Sequence, residues 1–82
     1  LSHPARLRIL CMMLGGEKSV QKLATDAGLS QPAMSHHLKK LRDSNLVMTR
    51  RDKQTIFYAL RGERVACVLE VLHRLYCNDL IL

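Results

Sequence analysis

Long apolar runs are missing from this 82-residue chain. None approaches the roughly 20 residues that a membrane-crossing helix needs, and no signal peptide is visible. Repeats and low-complexity tracts are absent too. Cysteine is scarce: three residues without a CxxC pair do not suit a secreted disulfide scaffold, so the chain is read as cytoplasmic. No oxyanion loop, third orienting group or nucleotide-binding glycine motif accompanies the one Cys–His pair, Cys77 and His73. The chain is therefore read as a binding module rather than an enzyme, and no cofactor is expected. Acids are short where cations gather. Residues 39–53 hold six of the 13 Lys and Arg but only two acids, within a net charge of +6 and a pI near 9.7. That local imbalance points to a polyanionic partner. Eighty-two residues make one domain, 1–82, whose core is marginal when alone.

Residues 28–46, GLSQPAMSHHLKKLRDSNL, organise the rest. Ser30 is a suitable N-cap, and Pro32 falls in the first turn, where its missing donor costs little. Met34, Leu38 and Leu41 form an apolar stripe. The opposite face carries Gln31, Ser35, His36, Lys39, Lys40 and Arg42, short polar groups first and cations later, as a helix reading DNA requires. An ordinary solvated face is the plain alternative. The preceding segment tips the balance: Ser19 caps a helix with Val20, Leu23, Ala24 and Ala27 inward, and Gly28 ends it. Helix, glycine turn and capped helix form a helix-turn-helix, the second helix being the one that enters the major groove.

The flanks complete the outline. Residues 1–14 predict a helix with Leu7, Leu10 and Leu14 inward, ending at Gly15-Gly16. Asn45 ends the recognition helix. Residues 47–51 and 55–60 are β-prone around Asp52-Lys53-Gln54, a hairpin whose tip gathers Arg50, Arg51, Lys53 and Gln54. That tip reads as a wing against phosphates, or else as a solvated hairpin whose charges block edge pairing. Residues 63–79 predict a last helix that is apolar nearly all round. Such a helix is buried on two sides, and a second copy of the chain is the simplest cover. The expected fold is mainly α with a small β-hairpin (α+β), a homodimeric winged helix-turn-helix on a palindromic double-stranded operator. Ser30, Gln31, Ser35, His36, Lys39, Lys40, Arg50, Arg51, Lys53 and Gln54 are the expected DNA-binding residues.

Together LSHPARLRILCMML, LSQPAMSHHLKKLRDSNLV, RRDKQTIFYAL and LHRLYC resemble the ArsR/SmtB family of bacterial winged-helix repressors. Within it they are most similar to the sulfide- and polysulfide-responsive dithiol branch, the BigR, SqrR and HlyU type. The family's first helix, which helps build the dimer, is expected ahead of Leu1. The resemblance implies a repressor released when Cys11 (RILC) and Cys77 (LHRLYC) become linked through sulfur, its inducer a reactive sulfur species. Cys67, outside those positions, is read as a buried small hydrophobe. Metal sensing fits poorly. Residues 19–27, SVQKLATDA, lack the family's CxC motif, and the last helix offers only His73 and Cys77, with Cys11 a third if it comes close, where zinc takes about four ligands. No metal site is expected. A redox-insensitive DNA binder stays open as a further alternative.

Overall fold

The computed structural model describes residues 4–80, with side chains through residue 75. Four helices and three strands follow in the order α1 (Pro4–Cys11), β1 (Lys18–Ser19), α2 (Val20–Ala27), α3 (Gln31–Asp43), β2 (Val47–Asp52), β3 (Thr55–Leu60) and α4 (Gly62–Leu80). The architecture is the expected winged helix-turn-helix, mainly helical beside a small antiparallel sheet.

Local chemistry sets the helix ends of the central motif. The Ser19 and Ser30 hydroxyls accept hydrogen bonds from the backbone N–H groups of Lys22 (3.1 Å) and Ala33 (3.2 Å). Each thereby satisfies a donor that the first turn leaves open. Gly28 closes α2 at φ 69°, while Leu29 N–H donates to Ala24 C=O. Asn45 does the same for α3 at φ 61°, with Leu46 N–H donating to Leu41 C=O. Both are left-handed terminations that return the chain toward the core.

The first helix is shorter than its periodicity predicts. It closes at Cys11, and residues 12–16 continue as tight turns in which Met13, Leu14 and Gly16 donate to carbonyls three residues back. The reason is packing. Ile9, Leu10, Cys11, Met12 and Met13 are all buried, and five consecutive residues cannot share one face of a straight α-helix.

These residues form a single core with Leu23, Ala24, Met34, Leu38, Leu41, Val47 and Leu69. Burying each large aliphatic side chain contributes about 1.5–3 kcal/mol. The stripe Met34, Leu38 and Leu41 faces this core, so the polar side of α3 faces outward.

Strand β1 is not visible in the sequence. Two residues carry no alternation of their own, and it forms only because β3 offers an edge. The sheet runs β1-β3-β2, with Lys18 opposite Tyr58 and Ser19 opposite Phe57. In the hairpin, Val47 pairs with Leu60, Thr49 with Tyr58 and Arg51 with Ile56. That face is inward, since Val47 is buried and Tyr58 and Leu60 pack on the core. Met48, Arg50, Phe57 and Ala59 take the other face, because side chains alternate along a strand.

Candidate nucleic-acid interface

Every expected contact on the recognition helix lies on its free side: Gln31, Ser35, His36, Lys39 and Lys40 are exposed, as is the capping Ser30. Gln31 and Ser35, one turn apart, line a polar cleft of about 410 Å³. Gln54, Thr55 and Ile56 of the wing form another of its walls, and Ser19, Val20 and Gln21 of the α2 start complete it. The fold thus brings the start of α3 and the tip of the wing to one opening. Arg51 is exposed and shares a sheet face with Ile56, so it stands on the cleft side of the wing. Lys53 is exposed at the tip, in the left-handed region at φ 57°.

Arg50 departs from the expected arrangement. It turns to the opposite sheet face and donates two hydrogen bonds to Glu17, Nε to Oε2 at 3.1 Å and Nη2 to Oε1 at 2.6 Å. Its guanidinium carbon also lies 4.7 Å from the Phe57 ring centroid. The Arg50 hydrogen bonds hold the Glu17 carboxyl below its ordinary value. The cause of the divergence is strand alternation: neighbours in sequence point to opposite sides. Glu17 had no role in the sequence reading. It is the sole acid among residues 1–25, a weak signal, and its partner is 33 residues away. Ser19, Gln21 and Thr55 were likewise missed as cleft residues, because only the folded chain brings the start of α2 to the wing.

The cysteines separate sharply. Cys11 is 3% exposed, at the end of α1, and borders a cleft of about 440 Å³ with Arg8, Met12, Lys18 and Asp26. Burial pushes its thiol up from the ordinary value near 9.0. Cys67 is exposed rather than buried. The outward turn of that part of α4 explains the correction: Leu69 faces the core while Val68, 60% exposed, faces away. Helices α1 and α4 pack together, but the Cys77 side chain lies outside the described residues. Among the described residues no three His, Cys, Asp or Glu side chains gather as a metal site, and no helix is long and apolar enough to cross a membrane.

A capped recognition helix with a polar outer face, a cationic wing beside it and a shared core define a winged-helix DNA-binding transcriptional regulator. Residues 3–49 match the bacterial regulatory protein, arsR family, and the chain belongs to that family. Its relatives include the transcriptional activator HlyU of Vibrio cholerae, 48% identical over 78 residues, which are 95% of this chain and 72% of HlyU. A solved HlyU structure superposes with a TM-score of 0.88 at 49% identity, covering 93% of this chain and 83% of that one. The transcriptional repressor BigR of Xylella fastidiosa matches at 0.84 and 40%, covering 94% and 79%. A homodimeric winged helix-turn-helix DNA-binding domain from Mycobacterium bovis matches at 0.84 and 29%, covering 96% and 73%.

Proposed function

We propose that the chain is a cytoplasmic, homodimeric repressor that binds a palindromic operator and lets go when Cys11 and Cys77 are linked through sulfur. The observation that carries the DNA half is the cleft shared by Gln31, Ser35 and Gln54. The wing that supplies Gln54 also carries the exposed cations Arg51 and Lys53. Ser30, His36, Lys39 and Lys40 extend the same surface, the short polar groups to base edges and the lysines to phosphates. The chain acts by binding and carries out no catalysis.

Support for the dimer comes from α4, where Val68, Val71 and Leu75 are 60%, 45% and 68% exposed along one stripe. A twofold copy covers that stripe and sets two recognition helices about one DNA turn apart. The switch half draws on likeness to BigR and HlyU and on the packing of α1, which ends at Cys11, against α4, which carries Cys77. A sulfur link between α1 and α4 joins the element before the helix-turn-helix to the dimer helix. It can shift the spacing of the two recognition helices without touching a DNA contact, a coupling of about 1–3 kcal/mol in typical cases.

Operator-binding anisotropy after separate treatment with polysulfide, peroxide, zinc and copper, with mass spectrometry on each sample, tests the reading. Cys11→Ser and Cys77→Ser proteins should keep operator affinity and stay bound after polysulfide, while Cys67→Ser should still release. Normal release by the Cys77→Ser protein sinks the thiol switch. Release by zinc or copper alone favours a metal-responsive repressor instead.

A further inference from the structure

We infer that Glu17 and Arg50 form a clasp that fixes the wing's angle against the recognition helix, which makes both of them positioning residues for DNA binding. The role presupposes the DNA-binding reading above. Ser19, Phe57 and Arg50 form one row across the three strands, since Ser19 and Arg50 are each opposite Phe57. From β2, Arg50 reaches over the Phe57 ring on the central strand. It grips Glu17, which stands just before β1. The clasp therefore spans the full width of the sheet on its outer face.

Its ends are what matter. Arg50 belongs to the wing, and Glu17 is two residues from Ser19, the N-cap of the first helix of the helix-turn-helix. Backbone pairing at this junction is short, because β1 has only two residues. A two-residue ladder gives the wing little backbone pairing to β1 at this edge, and a forked guanidinium-to-carboxylate pair adds a restraint there in direction as well as distance. The pair is exposed, 53% at Arg50 and 40% at Glu17, so it adds little to stability. Its effect falls on where Arg51, Lys53 and Gln54 are held. To reach a phosphate instead, Arg50 must give up both hydrogen bonds and its ring contact.

The test uses the full chain and a duplex enriched from a random-sequence library by the wild-type protein, followed by anisotropy across a salt series. Glu17→Gln and Arg50→Ala should each weaken binding to this duplex about three- to fivefold, the scale of an exposed ion pair. The slope of log affinity against log salt should stay at the wild-type value. Arg51→Ala should instead shallow that slope by about one counterion. The double variant Glu17→Gln/Arg50→Ala should bind no worse than either single one, and the swapped pair Glu17→Arg/Arg50→Glu should recover affinity. Arg50→Lys, which keeps the charge and loses the fork, should resemble Arg50→Ala. If Arg50→Ala shallows the slope by about one while Glu17→Gln tightens binding, Arg50 is a phosphate contact restrained by Glu17 and the clasp is overturned. Unchanged affinity in both single variants overturns it equally. Failure of the wild-type protein to enrich any duplex is a different result, and it removes the DNA-binding reading itself.

Discussion

Arg50 and Arg51 are adjacent in sequence and opposite in surroundings, which shows how much one step along a strand decides. Cys11 and Cys67 make a similar contrast in the helices. The Cys11 thiol is buried, and desolvation disfavours its anion, so its pKa is raised above the ordinary 9.0. The folded chain holds this proton more tightly than the unfolded chain, so Cys11 leaves stability untouched below pH 9 and lowers it as pH rises past 9. Thiolate is also the reactive form. At pH 7 iodoacetamide should therefore label exposed Cys67 well before Cys11, as peptide mass spectrometry on the native protein would show. Cys11 labelling should accelerate only above pH 9, or on unfolding at lower pH. Equal labelling of the two native thiols at pH 7 contradicts the burial assigned to Cys11.

Among the elements, the wing's turn separates fold from binding. Lys53 adopts φ 57° without being glycine, a conformation that L-residues with a Cβ adopt at some energetic expense. Lys53→Gly removes that strain and a cation together. The variant should melt at the same temperature as the wild type or a few degrees higher. Its operator binding should show a salt slope shallower by about one. A lower melting temperature would place Lys53 in a stabilising contact rather than a strained turn. The helix ends follow the same logic in reverse. Gly28 already occupies the left-handed position at the end of α2, and an added Cβ there meets no neighbour, so its role is conformational and not steric.

At the scale of the molecule, α4 divides its apolar residues between two destinations. Leu69 is buried in the protomer's own core, whereas Val68, Val71 and Leu75 stand outward. Leu75→Glu should yield a monomer by sedimentation, with operator binding weakened as the second half-site contact is lost. The protomer fold, followed by circular dichroism, should persist, because Leu75 is 68% exposed in it. An intact dimer in this variant moves the interface away from the stripe. Leu72, half-buried in the groove with Leu7, Leu10 and Leu69, makes the poorer test. Changing it damages the α1–α4 packing as well.

The sequence alone determined what is local. Ser19, Ser30, Gly28 and Asn45 set the helix ends because caps and left-handed turns depend on a residue and its near neighbours. The stripe Met34, Leu38 and Leu41 determined which side of α3 is free, and two β-prone segments around Asp52-Lys53-Gln54 marked the hairpin with its second strand at Thr55–Leu60. Tertiary structure alone decided the rest. It shortened α1, because five consecutive buried residues answer to the core around them and not to helical period. It made β1 from two unremarkable residues by offering them an edge, and through that strand brought Glu17 to Arg50 across 33 residues. Hydrogen bonds and ion pairs between distant segments leave no periodic trace in the chain, since the partner is chosen by where the backbone returns.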